Sequence, residues 1–226
     1  MTQSPLTLSR WWWIRHAPVP AGDGRMIGQL DLAAEIDAAA ILPLSRVLPQ
    51  GAQWITTPLQ RTGATAAALA AAAGIETAPL IEPAFAEQHF GRWQGRTHDE
   101  VREREPESWR RFWLSPAGEA PPEGESFAAM MVRVAEAIER LAIAHRGRDI
   151  VAVAHAGTIR AALAHALALT PAAALAVTVD PLSLTRLDRF DAAADADDSL
   201  APTSWRIAMV NVTTLGHIDA GRLPNS

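Results

Sequence analysis

Four apolar residues stand in a row at Trp11-Trp12-Trp13-Ile14, bounded by Arg10 and Arg15. A run this short, with no polar position inside it, reads as a strand buried on both faces rather than as one face of a helix. The first strand is placed over residues 7–14. Further strands are predicted at Trp54-Ile55-Thr56, over residues 76–81 and, strongly apolar, from Asp149 to Ala154. Helical patterns fall between them, over residues 33–48, from Thr57 to Ala73, over 125–145 and after His155 to about 168. In the third of these, Phe127, Met130, Met131, Val134 and Ile138 recur on one side. Thr57 is expected to cap the second helix with Gln60 as its return partner, and Gly74 to end it. Thr97-His98-Asp99-Glu100 has the same capping-box form. Residues 175–180, 182–190 and 205–212 are read as strands, and the acidic run from Asp191 to Asp198 as a solvated hairpin loop. The order of elements implies an α/β three-layer sandwich, a mostly parallel sheet with helices on both faces. No repeat or domain boundary appears, so a single domain over residues 1–226 is expected, with a helical insertion at about 96–124.

Composition narrows the chemistry. Of 226 residues, none is cysteine, lysine or tyrosine, and all 20 basic residues are arginines. Disulfides, zinc–thiolate sites, a catalytic thiol, Schiff-base chemistry and a P-loop lysine are therefore excluded. The net charge of −5 with no basic stripe speaks against nucleic acid as a partner. The first ten residues lack the apolar core of a signal peptide, and no apolar run is long enough to span a bilayer. A cytoplasmic location without a membrane partner is the expectation.

Against that background the residues after the predicted strands stand out. Arg15 and His16 follow the first strand, and open α/β sheets bind ligands at the carboxyl ends of their strands. Arginine offers a planar fork of donors to a phosphoryl group, and histidine can attack phosphorus and carry it covalently. Arg61 lies in the first turn after the second strand, and His155 follows the fourth. Glu87 sits in an irregular loop, Glu87-Gln88-His89-Phe90-Gly91-Arg92-Trp93-Gln94-Gly95. Two guanidiniums and one or two imidazoles can neutralise a transferring phosphoryl group without magnesium. His98, His145, His165 and His217 have no partner at metal-ligand spacing, so no metal site is expected.

Ile14-Arg15-His16, Thr57-Pro58-Leu59-Gln60-Arg61, the Glu87–Gly95 segment and Val153-Ala154-His155-Ala156-Gly157, in this order, resemble the histidine phosphatase (phosphoglycerate mutase-like) superfamily. Val210-Asn211-Val212 is a weaker match. The resemblance implies a phosphoglycerate mutase-like fold with His16 as the nucleophile that becomes phosphohistidine. It implies Arg15, Arg61 and His155 as the pocket for the phosphoryl oxygens, Glu87 as general acid and then base, and no cofactor. Gly28-Gln29-Leu30-Asp31 and the segment around Trp93, Trp109 and Trp113 look more like the α-ribazole phosphatase and broad-specificity branch. On that pattern Gln29 supplies a polar contact and Trp93 an aromatic wall, while Trp109 and Trp113 are read as packing residues. The expected partner is a small phosphorylated metabolite, with α-ribazole 5′-phosphate as a candidate and homodimerisation open. The alternatives are a phosphoglycerate mutase, disfavoured because that reaction's grip on substrate uses a lysine, and a catalytically silent phospholigand-binding protein. Ala17-Pro18-Val19 departs from the pattern, which usually has glycine and then a hydroxyl residue here.

Overall fold

The computed structural model describes residues 6–192 and 203–213. A six-stranded sheet is built from β1 (Leu6–Arg15), β2 (Gln53–Thr56), β3 (Leu80–Ile81), β4 (Asp149–Ala154), β5 (Leu184–Ala192) and β6 (Ser204–Val212). Its strand order is β3-β2-β4-β1-β5-β6. β1, β2, β3 and β4 run parallel, β5 runs antiparallel to β1, and β6 antiparallel to β5. The helices are α1 (Ala38–Ser45), α2 (Gln60–Ala73), α3 (His98–Arg104), α4 (Pro106–Leu114), α5 (Phe127–Ala144), α6 (Ala156–Leu167) and α7 (Pro171–Leu175). None of the described helices is long and apolar enough to cross a membrane.

The tryptophan run explains the layering. Side chains alternate across a strand, so Trp11 and Trp13 enter one core with Phe127, Met130, Val134 and Ile138 of α5, and with Ile159 of α6. Trp12 and Ile14 enter the other, with Ile41 and Leu44 of α1 and Ala66 and Leu69 of α2. β4 divides its residues the same way, Ile150, Ala152 and Ala154 to the first core, Val151 and Val153 to the second. This is the expected three-layer sandwich. A third, smaller cluster of Met26, Trp93, Val101 and Phe112 lies beneath α3 and α4.

Several local expectations need correction. Helix α1 begins at Ala38, not at 33, because Asp37 caps it through Ala39 N and Glu35 N is bonded to Pro18 O in the loop after β1. Over residues 76–81 only Leu80–Ile81 pair with β2. Residues 175–180 form no strand: Thr170 caps the short helix α7, with Pro171 in its first turn, and the chain then runs on irregularly to β5. Asp191 belongs to β5, where it is buried against Arg189 at 2.8 Å, while residues 193–198 of the acidic run lie outside the described residues. β5 is also less apolar than it reads: Arg186 grips Asp188 with two hydrogen bonds and lies over the Trp12 ring. The Thr97–Glu100 capping box is present, and Gly74, at φ +64°, ends α2.

Candidate active site

Register brings the site together. Arg15 is paired with Ala154 across the parallel β1–β4 ladder, so the next residues on each strand, His16 and His155, are neighbours. Their ring centroids are 5.2 Å apart. On the far side of β4, β2 is in register through Ile55 and Ala152, which sets Thr57 beside His155. The carboxyl ends of β1, β2 and β4 thus deliver His16, Thr57 and His155 to one edge, and the chain beyond β3 brings Glu87 to the same place. A cleft of ≈ 640 Å³ opens there, walled by Arg15, His16, Arg61 and Glu87 among others.

His16 is fixed in a single chemical form. Its Nδ1 lies 2.7 Å from Ala17 O. A carbonyl only accepts, so Nδ1 carries the proton, and the neutral ring keeps its lone pair on Nε2. Burial pushes the His16 pKa down to about 3, with Arg61 and Arg15 adding to the effect and the bond to Ala17 O opposing it. Ala17 orients the His16 ring through its backbone carbonyl, and its own N–H donates to Thr65 Oγ1. A folded pKa below the ordinary 6.5 makes a stability contribution that is complete above pH 6.5 and lost as pH falls from there to about 3. The thermal midpoint of the wild type is therefore expected to drop more between about pH 7 and pH 4 than that of His16→Asn. Parallel curves in a pH series of melting experiments would show that the buried ring does not resist protonation.

His155 is completely buried at the N-terminus of α6. Burial, with His16 and the two arginines, lowers its pKa well below the ordinary value, so it too is neutral. Its Nε2 lies 3.0 Å from Thr57 Oγ1. That hydroxyl accepts from Leu59 N and touches Thr62 Oγ1, which itself donates to Leu59 O. In the arrangement suited to an oxyanion, Thr57 donates to Nε2 and the ring presents Nδ1–H. The predicted capping box is therefore absent. The Thr57 hydroxyl is turned to His155 and Thr62, and Gln60 is held by Asp31, whose carboxylate accepts from Gln60 N.

Arg61 is 1% exposed and spends its terminal nitrogens on Leu30 O and Gly28 O. Arg15 donates through Nη1 to Val179 O. Burial lowers both pKa values, and Glu87 is the first influence opposing it. Arg15 Nε, Arg61 Nε and His155 Nδ1 are buried without a partner. Each orphaned group costs roughly 1–3 kcal/mol, and the two on arginines that line the cleft, with the third on the ring beside His16, suit an arriving anion.

Glu87 accepts from Gln88 N through Oε1 and from Gly157 N through Oε2. The bare Cα of Gly157 lets the carboxylate approach, since a Cβ there would lie 2.2 Å from Glu87 Oε1. The backbone of Glu87 is braced as well, its carbonyl accepting from Gln29 Nε2 and Arg133 Nη2.

Of the sequence-derived site residues, Arg15, His16, Arg61, Glu87 and His155 come together. Gln29 does not wall the cleft; it faces a neighbouring cavity and acts on Glu87 from behind. The expectation for Trp93 is overturned. It is 0% exposed, packs against Phe112 at 5.3 Å and donates to Glu105, so it has no surface to offer a substrate. The aromatic wall is instead Phe90, Phe112 and Trp113, the last 48% exposed. Arg160 also walls the cleft. Its place near the start of the helix that begins directly after His155 is the signal the sequence offers.

A model of the histidine phosphatase superfamily (branch 1) matches residues 12–197. A protein of Mycobacterium tuberculosis described as bifunctional is 34% identical over 97 residues, 43% of this chain and 26% of its own length. The chain therefore matches about a quarter of the length of the curated relatives. The solved mycobacterial glucosyl-3-phosphoglycerate phosphatase superposes with a TM-score of 0.75 at 26% identity, covering 91% of this chain and 99% of that one. The α-ribazole phosphatase from Shigella flexneri superposes at 0.72 with 21% identity, covering 93% and 100%, a likeness of fold.

Proposed function

Because the chain belongs to the histidine phosphatase superfamily (branch 1), we propose that it is a metal-independent phosphomonoesterase acting on a small phosphorylated metabolite through phosphohistidine on His16. One observation carries this reading. The Nδ1 bond to Ala17 O leaves Nε2 of a neutral, buried His16 as the basic nitrogen, beside Arg15, Arg61 and His155. Nε2 attacks phosphorus, the P–O bond to the leaving group breaks, and a protonated Glu87 supplies the proton that the departing alkoxide takes. Water then attacks the phosphohistidine, Glu87 takes a proton from it, and the N–P bond breaks to give phosphate and restore His16. Negative charge on the equatorial oxygens is met by two guanidiniums and by Nδ1–H of His155.

Two candidate substrates follow from the likenesses, α-ribazole 5′-phosphate and glucosyl-3-phosphoglycerate. The protein is expected to hydrolyse p-nitrophenyl phosphate in the presence of EDTA and to turn over one of these esters faster. A dependence on added divalent metal would overturn the mechanism.

A further inference from the structure

The catalytic residues leave part of the cleft unassigned. At ≈ 640 Å³ it has room for a whole small metabolite rather than a phosphoryl group alone. Four arginines line it, Arg15, Arg25, Arg61 and Arg160, with Glu87 as the carboxylate among its lining residues. Arg25 is engaged elsewhere, with Glu100 at 3.8 Å and with Gly95 O. Arg15 and Arg61 together balance a phosphomonoester dianion. Arg160 is left over.

Its placement is built. Arg160 Nε donates to Val177 O at 2.7 Å, and Arg15 Nη1 donates to Val179 O at 2.7 Å. The two guanidiniums thus hang from one irregular segment, two residues apart. That segment is itself held where it meets Asp180: Asn211 accepts from Asp180 N and donates to the Asp180 carboxylate. With Nε committed, both terminal nitrogens of Arg160 remain for a ligand, as a fork suited to a carboxylate or phosphate. No carboxylate among the described residues forms an ion pair with it. Its charge is felt at Arg15, where it lowers the pKa after burial and against Glu87. Leu175, Phe112 and Trp113 supply apolar surface along the same cleft.

We propose that Arg160 forms a second anion subsite, so that the natural substrate carries a further carboxylate or phosphate on the leaving group, joined to the phosphoester by a carbon skeleton that rests on the apolar wall. The proposal rests on the phosphatase reading of the same site. It favours a glycerate-type ester over a leaving group without a second charge.

Three matched esters test it: phenyl phosphate, 3-carboxyphenyl phosphate and 3-(phosphonomethyl)phenyl phosphate. The wild type is expected to prefer one or both charged esters by about tenfold or more in kcat/KM, the scale of a charge-assisted contact. The charged ester that leads identifies the anion. In Arg160→Met that preference should fall close to one, mainly through KM, and in Arg160→Lys part of it should return. The ratio is the readout because any disturbance of Arg15 through the shared segment slows all three esters alike. Equal rates for all three in the wild type, or a preference that survives Arg160→Met, overturns the subsite and leaves the phosphatase reading standing. No hydrolysis of any of them overturns the phosphatase reading, and the subsite with it.

Discussion

His16→Ala is expected to remove turnover by about 10⁴-fold or more, the scale seen when the nucleophile of a covalent mechanism is deleted. Nothing else in the cleft can take over. The second imidazole, His155, is completely buried, with Nε2 held against Thr57. With Nε2 accepting from Thr57 and a proton on Nδ1, that ring has no free lone pair to offer phosphorus. There is no cysteine or lysine in the chain to substitute. The loss should fall on kcat, because Arg15, Arg61 and His155 remain to bind the ester. The second measurement is chemical. Wild-type protein mixed with ester and quenched in alkali, which a phosphoramidate survives, should carry a phosphoryl group on His16, and the variant should carry none. His16→Asn is the control for folding, since it keeps a small polar side chain in the buried position. Turnover surviving in either variant would mean that water, or another residue, attacks phosphorus directly.

The site was legible where it depends on strand ends and obscure where it depends on loops. Arg15, His16 and His155 each follow a run of buried apolar residues, and a parallel register then makes them neighbours without further information. Arg61 follows β2 by five residues for the same reason. The layering was equally visible, because β1 and β4 are apolar at consecutive positions and so must be covered on both faces. Thr57 has a different role from the one its sequence suggests, since a hydroxyl before a proline at a helix start has the form of a cap. Its actual partner, His155, is 98 residues away, and only the sheet register brings the two together. Trp93 and Trp113 are not told apart by the sequence for a similar reason. Both are large aromatics in a charged segment, and composition does not tell which one α3 and α4 bury. The structure buries Trp93 under Val101 and Phe112 and leaves Trp113 at the cleft. Arg160 is harder to read from sequence, because its placement comes from the carbonyl of Val177, in a stretch that reads as a strand and is not one.

Glu87→Gln should separate the two halves of the reaction. An amide keeps the size of the side chain but has no acidic proton to give. An alkyl phosphate, whose alkoxide must be protonated as it leaves, is expected to lose about 10²–10⁴-fold, the contribution of a placed general acid. p-Nitrophenolate leaves unaided, so the first step with p-nitrophenyl phosphate should hold its rate. The second step needs a base for water, and the amide is none. The variant should therefore release one equivalent of p-nitrophenol in a burst and then stall as phosphoenzyme. Gly157→Ala tests the same role without touching the acid. The new Cβ would sit 2.2 Å from Glu87 Oε1, so the carboxylate must swing off the Gly157 N–H that now holds Oε2. Its pattern should match that of Glu87→Gln, with alkyl esters slowed more than aryl esters, at a smaller magnitude because the proton is displaced rather than lost. If both substitutions slowed good and poor leaving groups equally and gave no burst, Glu87 would be a binding residue and the acid would have to lie elsewhere in the cleft.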